Sequence, residues 1–263
     1  MVAARWRLRA GDYVGDGADS NVAGTLALVK LLPDSSQWLY GHFGEALRTG
    51  DALTVLDVGC GRGTHASSDP VARAAYEFGF SHHVMTGTDL DPVGSKHPWL
   101  HDFRLGDGMT IPYASDSVDV IIFDWVMEHV TEPDGFVAEL ARVLKPGGTV
   151  LFRTVQRWSP AGLGASLVPN RWHVSLIRRL QPGMHSADVY PTAMKANTIR
   201  VIDRLFRQHG MTVNVTRCAG LDWYVPVKSL RPAARFIERA MPGWFSHAIV
   251  AEARLPAAAG LTK

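Results

Sequence analysis

Along the chain, short apolar runs that stop at glycine or an acid alternate with longer segments in which apolar residues return at helical spacing. Residues 52–58 (ALTVLDV) form a Val- and Leu-rich run ending at glycines, the pattern of a buried parallel strand. The same pattern predicts strands at 84–88, 103–105, 118–123 (VDVIIF) and 149–155. Between them, residues 64–78 place Ala66, Val71, Ala74, Ala75 and Phe78 on one helical face, with an irregular start at Asp69-Pro70. Pro133 sits where a first helical turn accepts proline, and Phe136, Val137, Leu140, Val143 and Leu144 recur until Lys145-Pro146-Gly147-Gly148 ends the helix. Strands alternating with helices across short connections predict an α/β fold, a mainly parallel sheet covered on both faces.

The rhythm breaks at 156–196, where Pro160, Pro169, Pro182 and Pro191 interrupt the pattern and only 173–180 reads as a short helix. A segment of this length predicts an insertion serving as a lid or substrate wall. A helix at 198–209, a strand at 211–217, a helix at 232–241 and a strand at 247–254 follow, then a tail at 256–263 predicted to lack order. The first fifty residues hold a Gly- and Asp-rich loop (11–20) and two helices, 22–32 and 37–47. The expected organisation is therefore a helical cap (1–50), a core (51–155), the insertion (156–196), completion of the core sheet (197–255) and the tail.

Composition narrows the function classes. Hydrophobic residues make up 46% of the 263 residues and charged residues 20%, enough to bury a full core. A formal charge of +2 gives too little global field for a protein that coats nucleic acid. Two cysteines, Cys60 and Cys218, lack the clustered spacing of a metal site and predict a reducing, cytoplasmic setting; no metal is expected. Arg5, Arg7 and Arg9 run into Gly11-Asp12 without the apolar stretch of a signal peptide. The greasiest run, 118–127, is interrupted by Asp119 and Asp124, so no membrane span is expected.

The sharpest chemical signal is Asp57-Val58-Gly59-Cys60-Gly61-Arg62-Gly63, where a strand ends in an acid and opens into three alternate glycines before a helix. Such glycines let a ligand approach the backbone closely. VLDVGCGRG resembles motif I of class I S-adenosylmethionine-dependent methyltransferases. The resemblance implies that Asp57, Gly59, Cys60, Gly61 and Gly63 hold the cofactor S-adenosyl-L-methionine, and that Asp89, in GTDLD with Leu90 beside it, accepts from both ribose hydroxyls. Asp107 in Gly106-Asp107-Gly108-Met109 resembles the residue that reads the adenine amino group, with Met109 as an apolar wall; a solvated turn aspartate is the other reading. SDSVDVIIFDWVMEHVTEP and ARVLKPGGTVLFRT are similar to the ubiquinone/menaquinone-type branch, so the resemblance covers residues 53–154. In that pattern Asp124, Trp125 and His129 lie beside the methionine half of the cofactor and face the acceptor. The outer regions match the branch poorly, and its quinone substrate does not carry over. The implied fold is a Rossmann-like sheet of seven strands with the last one antiparallel.

Methyl transfer from a sulfonium is an in-line displacement in which the enzyme mainly aligns and desolvates the acceptor. An acceptor that must lose a proton would find its base among Glu128, His129, His173, His185 and Tyr190. No acid occurs between Glu139 and Asp188, while Arg142, Lys145, Arg153, Arg157, Arg171, Arg178 and Arg179 all lie there. Arg153, Arg157 and Arg171 are the candidates to meet an anionic or phenolic small molecule.

Other classes fit less well. Asp124-Trp125-Val126-Met127 replaces the Asn/Asp-Pro-Pro-aromatic run of base-amino methylation, and no cysteine stands near strand 4 or 5 for cytosine chemistry. Protein methylation stays open. The glycine spacing and Asp57 argue against an NAD-dependent oxidoreductase, and the basic middle segment argues against aminopropyl transfer. A cofactor-binding regulator without catalysis is a further reading. The expected partner is a small-molecule acceptor, with the protein a monomer or homodimer and neither nucleic acid nor membrane involved.

Overall fold

The computed structural model describes residues 34–49, 51–160, 162–163, 190–220, 228–240 and 245–257. Arg171, His173, His185, the predicted helices at 22–32 and 173–180 and most of the 156–196 insertion lie outside the described residues.

Seven strands form one sheet: β1 (Thr54–Val58), β2 (Val84–Asp89), β3 (Asp102–Leu105), β4 (Val118–Asp124), β5 (Leu144–Val155), β6 (Thr212–Cys218) and β7 (Ala248–Arg254). Their order is β3-β2-β1-β4-β5-β7-β6. β1 pairs in parallel with β2 and β4, β2 with β3 and β4 with β5. β7 runs antiparallel between β5 and β6, so it alone opposes the other six. The strand order reverses at β1, which starts both halves of the sheet, and in open α/β sheets that switch point is where a ligand crevice opens at the strands' carboxyl ends.

Among the described residues there are six α-helices: α1 (Ser35–Ala46), α2 (Thr64–Ser68), α3 (Pro70–His82), α4 (Pro133–Val143), α5 (Ile199–Gln208) and α6 (Arg231–Ala240). Side chains alternate across each strand. Ile121, Phe123, Val150 and Phe152 therefore pack with Phe136 and Leu140 of α4 and Ile202 and Phe206 of α5. The neighbouring positions Val120, Ile122 and Leu151 pack with Leu39 and Phe43 of α1 and Ala72 and Tyr76 of α3. Burying each such large side chain stabilises by ~1.5–3 kcal/mol before chain entropy is set against it.

Two elements depart from the sequence reading. The single helix expected at 64–78 is two, because Asp69 takes an extended conformation and its carboxylate accepts from the N–H groups of Val71 (2.8 Å) and Ala72 (3.1 Å), capping a new helix with Pro70 in its first turn. The strand expected at 149–155 begins five residues earlier, at Leu144, since Val118 pairs with Leu144 and the register then shifts across a bulge before Val120 meets Thr149.

Candidate active site

The site is built on the carboxyl ends of β1, β2, β4 and β5. After β1 the chain turns through Gly59 (φ 71°), Gly61 (φ 51°) and Gly63 (φ 70°), all left-handed. A Cβ on Gly59 would lie 2.5 Å from Val126 Cγ2, and one on Gly63 would lie 2.7 Å from His97 Cδ2. At Gly61 nothing stands within 4 Å, so the crest of the loop offers bare backbone beneath open space. That crest is tied to β2: the Gly59 N–H donates to the Thr88 carbonyl at 2.8 Å and the Gly61 N–H to Asp89 Oδ2 at 2.8 Å. The other Asp89 oxygen accepts from the Asp91 N–H at 2.9 Å. Each carboxylate oxygen can accept more than one hydrogen bond, so Asp89 is held in place and still able to take hydroxyl donors.

The adjoining predicted residues fall out differently. Leu90 is 62% exposed, on the rim. Asp107 is exposed, and its Oδ1 accepts from the N–H groups of Met109 (3.0 Å) and Thr110 (2.9 Å), an Asx-type turn that orders the loop. Gly108 takes φ 73° there, and Met109 packs on the α4 side of the core.

Beneath the glycine loop Asp57 is buried. Tyr76 Oη donates to its Oδ2 at 2.6 Å, and His97 Nε2 lies 3.9 Å from the same oxygen. Burial pushes the Asp57 carboxyl up to about 7 against the opposing Tyr76 hydrogen bond, with Asp124 and Asp89 adding to the rise. Burial also lowers His97 to about 4, so it stays neutral. Cys60, in the same loop, is a buried free thiol pushed well up by burial, which makes it inert as a nucleophile.

At the ends of β4 and β5, Arg153 Nε and Nη2 each donate to Asp124 at 2.7 Å, one to each carboxylate oxygen. Arg153 Nη1 reaches Ser35 Oγ of α1 at 3.1 Å, and Tyr40 Oη of α1 donates to Asp124 Oδ2 at 2.8 Å. The guanidinium also stands 4.5 Å from the centre of the Trp125 ring. Burial works against its charge, but Asp124 more than offsets this and holds Arg153 above its ordinary value. Expected from sequence to meet an acceptor anion, Arg153 is instead 5% exposed and directed at Asp124. The strand register decides this, since it sets Asp124 opposite Arg153. Trp125, bonded through its N–H to the Arg153 carbonyl (3.1 Å), takes φ 57°, a left-handed conformation that costs an aromatic residue energy and is found where surroundings impose it.

Farther along, His129 Nδ1 lies 2.9 Å from the Pro191 carbonyl, and the Tyr190 ring stands 6.0 Å from its imidazole. A carbonyl only accepts, so Nδ1 carries a proton, and in the neutral ring Nε2 is the acceptor. Glu128 is buried beside it, accepting from Thr154 Oγ1 at 2.8 Å, while Asn197 Nδ2 donates to that same Thr154 oxygen at 2.7 Å. Burial raises the Glu128 carboxyl. Arg157 donates to the Met194 carbonyl at 3.0 Å. Of the predicted set, the fold thus gathers Asp57, Gly59, Cys60, Gly61, Gly63, Asp89, Asp124, Trp125 and His129 at one end of the sheet. Ser35, Tyr40, Tyr76, His97, Thr154 and Asn197 were not singled out from sequence. Only Tyr76 carried a usable signal, as a polar-tipped residue on the inner face of α3.

Among the described residues, no helix is long and apolar enough to cross a membrane, and no cluster of three or more His, Cys, Asp or Glu could hold a metal. An open-crested glycine loop with an anchored acid on each adjoining strand is the architecture of a nucleoside-bearing cofactor site at a switch point. Comparison with known proteins gives the same class. Residues 56–152 match the methyltransferase domain family. The chain is 27% identical over 189 residues to the ubiquinone biosynthesis O-methyltransferase of Mesorhizobium japonicum, covering 66% of this chain and 69% of that one. It is 33% identical over 129 residues to the enzyme of that name from Pectobacterium atrosepticum, covering 43% of this chain and 49% of that one. The chain thus spans about half to two thirds of such relatives. Among solved structures, an S-adenosylmethionine-dependent methyltransferase from Mesorhizobium loti shares the fold with TM-score 0.54 at 16% identity, over 84% of this chain and 98% of that one. The [4+2]-cyclase SpnF shares it too, with TM-score 0.53 at 18% identity, over 84% and 81%. The chain carries a class I S-adenosylmethionine-dependent methyltransferase domain resembling the ubiquinone type, and its cofactor is S-adenosyl-L-methionine.

Proposed function

We propose that this protein O-methylates a small phenolic acceptor, with the orientation of His129 as the observation that carries the reading. The cofactor supplies a methyl group on a cationic sulfur. In this reading the backbone of the Gly59–Cys60–Gly61–Gly63 loop cradles it and Asp89 accepts from its ribose hydroxyls. Asp107, Gly108 and Met109, with Leu90 at the rim, border its adenine, and Asp57, Asp124 and Trp125 flank its methionine half. His129 Nε2, with the proton fixed on Nδ1 by the Pro191 carbonyl, accepts the proton of the acceptor hydroxyl; Tyr190 packs beside it. Arg157 and Arg171 remain the cations for an anionic group on the acceptor, and His173 and His185 of the insertion are the alternative bases. The insertion itself is proposed to wall the acceptor side. The relatives named as O-methyltransferases support transfer to oxygen.

Because a cyclase shares the fold, formation of S-adenosylhomocysteine is the decisive readout. A panel of catechols, phenols, amines and thiols is incubated with S-adenosylmethionine, and methylated products are identified by mass spectrometry. A methyl ether of a phenol, with kcat lowered ~10²–10⁴-fold in His129→Ala, supports the reading. Methylation confined to amines or thiols, or an unchanged His129→Ala, overturns it.

A further inference from the structure

Asp57 is a buried carboxyl that meets no cation among the described residues. From α3, Tyr76 Oη donates to Oδ2. From the segment after β2, His97 presents Nε2 to that oxygen at 3.9 Å, too far for a hydrogen bond, and this buried nitrogen has no other partner. The Trp99 N–H donates to His97 Nδ1 at 3.3 Å, so Nδ1 is the bare nitrogen and Nε2 bears the hydrogen. His97 therefore brings a neutral donor, locked below Gly63, and no charge. From β2, Asp89 adds a negative charge, and from β4 Asp124 adds another. Arg153 of β5, a cation of this corner, is bound bidentately to Asp124, which Tyr40 of α1 also contacts. A carboxylate in this position is withdrawn from bulk solvent and has no counter-charge among the described residues, and the protonated acid is the form that fits.

We propose that Asp57 is a carboxylic acid in the free enzyme and gives up its proton when the cationic methionine half of the cofactor binds, so that cofactor binding and proton release are coupled. The inference rests on the cofactor placement proposed above. Asp57's O–H bond breaks, its electron pair stays on the carboxylate oxygen, and the proton passes to buffer. The ammonium of the ligand then becomes the counter-charge that the described residues do not provide. Burial of Asp57, which lifts its titration to about 7, sets the range in which the coupling is visible.

The test is calorimetric titration of the protein with S-adenosylhomocysteine at about pH 6, in phosphate and in a buffer of large ionisation enthalpy, where the ligand's own amine is fully protonated. The difference in heat gives the protons released. Close to one proton is expected for wild type and none for Asp57→Asn. Between about pH 5 and 6.5 the wild-type affinity should fall nearly tenfold per pH unit lost, while the Asn variant stays flat. Tyr76→Phe removes a donor that favours the carboxylate, so its release should extend to higher pH; this checks the idea should Asp57→Asn fold poorly. Binding without buffer-dependent heat overturns the coupling alone. No binding at all overturns the cofactor placement together with it.

Discussion

Arg153 grips Asp124 with two parallel hydrogen bonds of 2.7 Å across the adjacent ends of β5 and β4, and both side chains are almost entirely withdrawn from water. Bidentate geometry of this kind makes a buried ion pair tolerable; removing one partner leaves the other charge uncompensated. Arg153→Gln should destabilise the fold by ~3–5 kcal/mol, and the double variant Arg153→Gln, Asp124→Asn should recover much of that loss. Urea denaturation of the four members of the cycle checks it. Equal loss in the single and double variants would show that the guanidinium's packing on Trp125, rather than the pair, supports this corner.

The glycine loop predicts a separation of binding from stability. Gly61→Ala meets no atom within 4 Å but must hold φ 51°, so it should cost ~1–2 kcal/mol of stability while placing a methyl in the open space above the crest. Cofactor affinity should fall at least tenfold. Gly59→Ala adds a collision with Val126 at 2.5 Å and should be clearly the less stable of the two. Thermal melts with S-adenosylhomocysteine titrations distinguish the effects.

Asp57 should impose a pH dependence on stability. The folded state holds the proton up to about 7, whereas the unfolded chain releases it near the ordinary carboxylate value of about 4. As pH rises through this window, the unfolded state is favoured, so wild type loses stability relative to Asp57→Asn. The gap should open between about pH 4 and 7 and remain constant above. His97, lowered by burial to about 4, acts in the opposite sense: the folded state refuses a proton that the unfolded chain accepts below about 6.5. Wild type should therefore show little slope across the overlap of the windows, and replacing either residue should reveal the other's. Melting temperatures in a pH series decide the matter.

Thr154 joins two buried polar groups, donating to Glu128 and accepting from Asn197. Thr154→Val keeps the shape but removes the donor to Glu128 and one of the acceptors of Asn197, whose amide keeps the Val155 carbonyl at 3.0 Å, at a cost of ~1–3 kcal/mol measurable by denaturant midpoint. If the variant were as stable as wild type, the network would not support the wall on which His129 stands.

The strands, their order of appearance, the glycine loop and the acids at the strand ends were all legible in the sequence, because each is encoded within a few consecutive residues. A period of two, a left-handed turn that wants glycine and an acid closing a strand are local properties of the chain. The break in the helix at Asp69-Pro70 was visible only as an irregularity, since one residue's conformation decided it. What the sequence could not supply was the partner of each buried charge. Arg153 finds Asp124 29 residues away, Tyr40 finds that same acid 84 residues away, and Ser35 meets Arg153 across 118. Those meetings follow from which strand lies beside which and in what register, and they turn a presumed acceptor-binding arginine into an internal counter-ion. They also leave Asp57 buried without a cation among the described residues, so the rise of its carboxyl comes from the tertiary structure and not from its sequence neighbours.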